Sequence, residues 1–180
     1  MKNIVLAVLA LTSGMSLAAD QSPYAGEEYR SIKSMSSEEI ESLLSGGGMG
    51  FAKLAELNHY PGPKHVLEMV DDLDLTPSQV SETEALFEEM RSSAVLLGEE
   101  LLEAEMALDR DFAQGAINPE SLESALLNLG KIRAQLRYVH LEAHLRQKRL
   151  LTTEQIAKYD ETRGYRGVAH NHSEHPKDHN

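Results

Sequence analysis

Cysteine and tryptophan are both absent from this 180-residue chain, and phenylalanine occurs only three times. Without cysteine the chain has no disulfide framework, and any bound metal must be held by histidine, carboxylate or methionine ligands. With so few large aromatic side chains, the core has to be mainly aliphatic. A chain of this length suffices for one domain, and the composition favours long helices.

Basic residues are scarce relative to acidic ones. The chain has 17 Lys and Arg against 29 Asp and Glu, which gives a formal net charge of −12 at pH 7. A surface of this sign repels phosphate backbones, so we expect no nucleic-acid partner. The same charge suits cations or basic proteins as partners, although solubility alone also accounts for it.

Charged residues are nearly absent from the N-terminus, where Lys2 is the only one before Asp20. An apolar run follows Lys2, and the small residues Ser16 and Ala18 have the spacing of a cleavage site. This pattern predicts a cleaved secretory signal peptide over residues 1–18, and hence an exported protein. An N-terminal membrane helix is the alternative, although the segment is short for one. No later stretch of the sequence has the apolar length that spans a bilayer.

One short pattern occurs twice, as Leu75-Thr-Pro-Ser-Gln-Val80 and as Leu151-Thr-Thr-Glu-Gln-Ile156. In each copy the threonine can cap a helix N-terminus, and the glutamine three residues later can reach back to the threonine amide, which is a capping box. The aliphatic residues at either end suit a hydrophobic staple. Two related patterns, with Ser36 and Asn118 as caps, predict two further helix starts.

Apolar residues between the two copies recur at alternating spacings of three and four. They predict two long helices over about residues 77–113 and 119–150, joined by a short turn. Because a short connection makes neighbouring helices antiparallel, we predict an all-α fold built on a long antiparallel helical hairpin. Shorter flanking helices are predicted over about residues 36–44, 50–58 and 64–73.

A second apolar stripe, formed by Val95, Leu102 and Met106, lies on another face of the first long helix. Leu141 and Leu145 likewise project away from the seam of the second long helix. Since two helices cannot cover both faces alone, the stripe favours a homodimer. An exposed surface that binds client proteins is the alternative.

Two Leu-Thr-x-x-Gln motifs on either side of a helical hairpin, behind a signal peptide, resemble the LTxxQ-motif periplasmic family (Spy/CpxP/ZraP-like). The resemblance covers residues 64–165. The block GMGFAKLAELNHYPGP, residues 48–63, is similar to a subgroup labelled periplasmic heavy-metal sensors. The resemblance implies a periplasmic, cradle-like homodimer that acts in the stress response as an ATP-independent chaperone or adaptor for unfolded periplasmic proteins. The alternative is a metal-binding sensor (Zn, Ni, Co or Cu) that signals to a membrane partner.

These patterns divide the chain into four parts. The signal peptide at residues 1–18 is followed by a polar segment with short helices at 19–63. The LTxxQ-type hairpin domain takes residues 64–167, and a His-rich disordered tail takes 168–180. Within the polar segment, we expect residues 19–34 to be poorly ordered.

A first candidate metal site lies on the second long helix, where His140 and His144 are four residues apart and therefore share a face. Two imidazoles at this spacing can bind Zn²⁺, Ni²⁺ or Cu²⁺. Folding of the hairpin is expected to bring Glu84 and Glu88 near this pair, and the helix that carries His65 can return to the same place. The alternative interpretation is that the two histidines face solvent on a flank of the hairpin.

The second candidate metal site is the C-terminal tail, which carries four histidines: His170, His172, His175 and His179. Together with the carboxylates between them, these imidazoles can chelate a divalent transition metal once they are deprotonated. The same composition is also found in solvated termini and resembles an expression tag.

The sequence lacks the constellations that indicate an enzyme. No nucleophile elbow, metalloprotease HExxH motif or glycine-rich phosphate loop is present. We therefore expect that the protein is not an enzyme and that it requires no cofactor. The candidate ligand is an ion, Zn or another divalent transition metal.

Overall fold

The computed structural model describes residues 22–165, and this part of the chain is all-helical, without β-strands. A short 3₁₀ helix, Glu27–Tyr29, comes first. The described residues then form six α-helices: α1 Ser37–Leu44, α2 Lys53–Glu56, α3 Pro63–Leu67, α4 Pro77–Ala113, α5 Pro119–Leu150 and α6 Thr153–Thr162. The all-α prediction is confirmed. The predicted signal peptide and the histidines of the tail lie outside the described residues.

All four predicted helix starts carry a complete capping box, with Ser36, Thr76, Asn118 and Thr152 as the caps. In each box the cap side chain accepts a hydrogen bond from the backbone amide three residues later, and the side chain of that residue accepts one from the cap amide. Because these bonds involve only neighbouring residues, the bounds of α4 and α5 agree with those predicted from the sequence.

Helices α2 and α3 are shorter than predicted. Residues with left-handed backbone conformations confine α2: Met49 (φ 41°) and Gly50 (φ 76°) precede it, and His59 (φ 64°) follows it. After α3 the chain continues in turns as far as Asp74, which has φ 47°. A left-handed residue cannot continue a right-handed helix, so Gly50 cannot begin α2 as predicted. The chain continues in turns after Glu56 and after Leu67, so the longer predictions for both elements are wrong.

The long helices α4 and α5 pack against each other in opposite directions. Near the start of α4, Glu89 pairs with Arg146 near the end of α5 at 2.8 Å. Near the end of α4, Glu105 accepts a 2.9 Å hydrogen bond from Arg133. The connection between the helices turns at Gly115, whose φ of 65° favours glycine. The two helices thus form a hairpin-like pair.

The N-terminal segment closes one side of this pair. Ile32 and Met35 are both 3% exposed and lie in the main hydrophobic core. Burial of each such side chain contributes about 1.5–3 kcal/mol, and an ion pair of 2.9 Å between Lys33 and Asp109 adds a further contact. The prediction of poor order for residues 19–34 is therefore wrong at Ile32 and Lys33, which the core and this ion pair hold in place.

The same segment covers part of the second apolar stripe. Leu102 is only 7% exposed and belongs to the core cluster that contains Ile32 and Met35. The premise that Leu102 needs a second protein copy to cover it is therefore wrong. Met106 and Leu145 remain exposed.

The two LTxxQ motifs meet where the N-terminus of α4 lies beside the end of α5. The side-chain amides of Gln79 and Gln155 exchange hydrogen bonds of 2.8 and 3.1 Å. Gln79 Nε2 also donates to the Leu150 carbonyl at 2.8 Å, and Gln155 Nε2 donates to the Leu73 carbonyl at 3.1 Å. Each glutamine therefore caps its own helix and also forms hydrogen bonds with the glutamine of the other motif.

Candidate functional site

A cavity of about 670 Å³ lies where α4 and α5 meet the N-terminal loops. One wall is the glycine-rich segment 46–50, and another is the segment around Gly62 that leads into α3. Helix α4 contributes Phe87 and Met90 to the lining. Helix α5 contributes two of the predicted metal ligands: His140 and His144.

His144 is 7% exposed and is held in one orientation. Its Nδ1 lies 2.7 Å from the carbonyl oxygen of Tyr60. A carbonyl can only accept, so Nδ1 carries a proton, and in the neutral ring Nε2 presents the lone pair. Gly62 permits the loop to approach this ring, because a Cβ there would lie 3.0 Å from His144 Nε2 and 3.1 Å from Glu56 Oε1. Nε2 of His144 and the carboxylate of Glu56 thus both lie beside the position that a Cβ on Gly62 would take.

His140 is 3% exposed and stacks on Phe51, with ring centroids 6.0 Å apart and planes inclined by 22°. A Cβ on Gly48 would lie 3.9 Å from its Nδ1. Burial, reinforced by the neighbouring His144, lowers the pKa of His140 below its ordinary value of 6.5. His140 is therefore neutral at pH 7, which is the form that binds metals. Its Nε2 is buried and has no hydrogen-bond partner among the described residues.

The burial of both histidines bears on the alternative interpretation of the pair. Solvent-facing histidines were the alternative to ligands, and that alternative is wrong, because the loops of residues 46–63 fold over this face of α5. His65 lies in the lining of the same cavity. It is partly exposed, and its Nδ1 lies 2.9 Å from Glu68 Oε2. The structure thus brings His65, His140 and His144 to one cavity.

Glu84 and Glu88 do not line this cavity, contrary to the expectation from the hairpin. Both are exposed on α4, and Glu88 lies in a separate surface groove, 3.9 Å from Arg91. Successive residues of an α-helix are rotated by about 100°, so Glu88 points away from the cavity that Phe87 lines.

The carboxylate that does line the cavity is Glu56, which sequence analysis missed. Both of its oxygens lie 2.9 Å from the hydroxyl of the fully buried Tyr159, which donates to them. Burial, together with the carboxylate of Glu56, raises the pKa of the Tyr159 hydroxyl far above its usual range, so Tyr159 stays a donor. Glu56 follows no motif, and only the unusual segment Tyr60-Pro-Gly-Pro63 marks the loop beside it.

Within residues 22–165, no three His, Asp or Glu side chains are grouped so that they could hold a metal ion. The cavity offers the two imidazoles of α5 as a pair, with Glu56 beside His144. The tail histidines, His170, His172, His175 and His179, lie outside the described residues. The described chain ends at Tyr165, which itself lines the cavity.

A separate groove on the surface is largely apolar. Its lining includes Leu54, Tyr60, Leu141 and Leu145, and it encloses about 440 Å³. Leu54 and Leu145 are 60% and 47% exposed. Solvent-exposed aliphatic side chains that adjoin one another in this way are typical of contact surfaces.

Comparison with protein-family models, with curated proteins and with solved structures gave no match. None of the helices in the described part of the chain combines the length and the apolar character needed to cross a membrane.

Proposed function

We propose that this protein is an exported, periplasmic metal-binding sensor of the LTxxQ type, which takes Zn²⁺ or a similar divalent transition metal at His140 and His144. The observation that supports this best is the pair of buried imidazoles in the cavity wall. Neutral imidazoles are the ligands that borderline metals such as zinc, nickel and copper prefer in a chain without cysteine. A membrane partner would recognise the metal-bound form of the protein.

The surroundings of the pair also favour this role. Metal-bound histidines usually donate their second ring nitrogen to a carbonyl or carboxylate, which fixes the tautomer and aims the lone pair. The bond from His144 Nδ1 to the Tyr60 carbonyl has this form. Glu56 adds a carboxylate beside Nε2 of the same ring. A metal bound here would link α5 to the loops that precede α3, and so would change how firmly those loops are held.

Calorimetric titration of the full chain with Zn²⁺ tests the proposal. Replacement of His140 and His144 together by alanine should weaken Zn²⁺ binding by at least about tenfold, because both proposed protein ligands of the metal are removed. The matched control is His59→Ala, since His59 is a half-exposed histidine that pairs with Asp160 and does not line the cavity. Equal affinities for the double variant and the control would contradict the proposal.

A second candidate function is that of an ATP-independent chaperone or adaptor in the stress response. The apolar groove between Leu54 and Leu145 supports it, because an exposed aliphatic surface can hold unfolded proteins. We propose that the chain acts in this role as a cradle-like homodimer, in which the exposed Met106 and Leu145 are covered by the partner or by the client.

An aggregation assay with an unfolding client protein tests this second function. The protein should suppress aggregation, and Leu54→Ser with Leu145→Ser should lose most of the protection. The exposed Leu127 lies outside the groove, so Leu127→Ser serves as the control and should protect as well as wild type. If the wild-type protein gives no protection with or without Zn²⁺, the chaperone proposal fails.

A further inference from the structure

The apolar groove is flanked along α5 by basic side chains. Leu141 and Leu145 line the groove, and residues four apart are neighbours on a helix surface. Arg137 lies four residues before the first leucine, Arg149 lies four residues after the second, and both arginines are exposed. One row of α5 therefore consists of two leucines between two arginines, whose Cα atoms lie about 18 Å apart along the helix axis.

The two arginines are not neutralised within the described part of the chain. The ion pairs of α5 in that part are those of Arg133 and Arg146, so Arg137 and Arg149 remain free to pair with a partner. The one carboxylate between them in the sequence, Glu142, lies with Arg146 in a different depression of the surface. In a chain of net charge −12, this row of α5 is therefore a local basic surface.

The wall of the groove opposite α5 is preformed. Tyr60 is held from two sides, because its carbonyl accepts a 2.7 Å hydrogen bond from His144 and the Nζ of Lys148 lies 3.7 Å from the centroid of its ring. The side chain of Asn58 donates a 2.8 Å hydrogen bond to the Leu54 carbonyl. A partner that binds between walls that are already ordered loses less free energy in ordering them. Lys148 also adds a third positive charge beside the groove.

The shape and charge of the groove together define the chemistry of its occupant. An amphipathic helix can lay its apolar side chains into a groove, whereas strand addition needs a free sheet edge, and the described residues contain no strand. Carboxylates near both ends of such a helix would meet the two arginines, which gives the complex complementary charges. A partner helix of about twelve residues spans the same distance of about 18 Å.

We propose that the apolar groove is a docking site for an acidic amphipathic helix of another protein. The apolar side chains of that helix would pack between Leu54 and Leu145, and its carboxylates would pair with Arg137 and Arg149. The inference does not depend on metal binding. It goes beyond the chaperone proposal, which needs only an exposed apolar surface, because the arginines select the partner by its charge.

Two labelled helical peptides test the proposal by fluorescence anisotropy with the full chain. Both peptides carry two leucines one turn apart; one has glutamates near both ends, and the other has lysines at the same positions. The acidic peptide should bind about tenfold more tightly, because the two attractive charge pairs become repulsive with the basic peptide. The net charge of −12 by itself favours the basic peptide, so equal binding or a preference for the basic peptide would overturn the proposal.

Charge reversal locates the preference on the molecule. Arg137→Glu/Arg149→Glu should bind the basic peptide more tightly than the acidic one. The matched control, Arg110→Glu/Lys131→Glu, changes the net charge equally at exposed residues outside the groove, and it should keep the preference of wild type. An acidic preference that persists in the first variant, or that is lost in the control, would overturn the proposal.

The apolar part of the contact is tested with single serine variants. Leu145→Ser should weaken binding of the acidic peptide by about fivefold or more, because apolar area that the peptide would bury is lost. The control Leu127→Ser lies outside the groove and should bind as wild type does. Equal binding by wild type and Leu145→Ser would contradict the proposed contact.

Other occupants of the groove are distinguished with the same variants. Cosedimentation of wild type, but not of Arg137→Glu/Arg149→Glu, with phosphatidylglycerol vesicles would assign the surface to a lipid. A wild-type dimer that Leu145→Ser turns into a monomer in analytical ultracentrifugation would assign the groove to a second copy of the chain. Either result would overturn this inference. Loss of aggregation protection in Leu54→Ser/Leu145→Ser, without any preference between the peptides, would also overturn it but would leave the chaperone proposal standing.

Discussion

The contact between the two LTxxQ motifs gives the most specific prediction about stability. Gln79→Ala removes two hydrogen bonds with the side chain of Gln155, one with the Leu150 carbonyl and one with the Thr76 amide. A typical net contribution is about 0.5–1.5 kcal/mol per bond. For four bonds, we therefore expect Gln79→Ala to lower the free energy of unfolding by about 2–6 kcal/mol.

Ser121→Ala is the matched control, because Ser121 completes the capping box of α5 through hydrogen bonds with Asn118. It should cost about 1 kcal/mol or less. Urea unfolding followed by circular dichroism measures both changes. In a double-mutant cycle, Gln79→Ala and Gln155→Ala should be coupled by about 1–2 kcal/mol, since each removes the same pair of bonds. Strictly additive effects, or a cost for Gln79→Ala no greater than for Ser121→Ala, would refute the account of the repeated motif.

Three further predictions concern the caps, the core and the cavity. Thr76→Ala or Thr152→Ala should each lower the free energy of unfolding by about 1 kcal/mol, and calorimetry should find the Zn²⁺ affinity unchanged; loss of binding in a folded variant would contradict this. Leu102→Ala should cost about 2–5 kcal/mol in urea unfolding because Leu102 is a core residue, whereas the sedimentation coefficient should stay that of wild type; dissociation of an oligomer would restore the interface interpretation. Because the pKa of His140 is lowered from 6.5 by burial, the unfolded chain binds more protons than the folded chain below that pH. The contribution of neutral His140 to the free energy of unfolding is thus fully present above pH 6.5 and should be lost as the pH drops toward the pKa of His140 in the folded chain. His140→Asn should flatten this pH dependence of stability; an equal slope in the variant and the wild type would show that other groups cause the dependence.

Helix starts were predictable from the sequence because capping is a local interaction. The boxes at Ser36, Thr76, Asn118 and Thr152 each involve residues within one turn, and the sequence therefore defines α4 and α5 without reference to the rest of the fold. The contact between Gln79 and Gln155 joins residues 76 positions apart. The capping role of each glutamine was visible in the sequence, whereas the bond between them depends on how the helices pack.

The N-terminal segment shows where composition misleads. Its polar character suggested poor order, yet Ile32 and Met35 anchor it in the core and cover Leu102. Helical periodicity identified Leu102 as apolar on a second face, but periodicity does not say which segment covers that face. The answer depends on tertiary contacts of a segment that has no periodic pattern of its own.

The cavity was predictable only in part for the same reason. The spacing of His140 and His144 placed both imidazoles on one face of a helix, and that part of the site required only local geometry. Glu56, the last residue of α2, and Gly62 lie at the cavity because of the path of the loop between them, which contains the left-handed residue His59. Glu84 and Glu88 were expected there because the hairpin brings their part of α4 near, but their rotation around the helix turns them outward.

The central claim is that His140 and His144 bind a divalent transition metal. The most direct measurement is a Zn²⁺ titration of the full chain followed by ¹⁵N nuclear magnetic resonance of the histidine rings. We expect the ring signals of His140 and His144 to shift together before the first equivalent is complete, while those of His59 stay unchanged. Signals of His140 and His144 that stay unchanged while zinc binds elsewhere on the chain would contradict it.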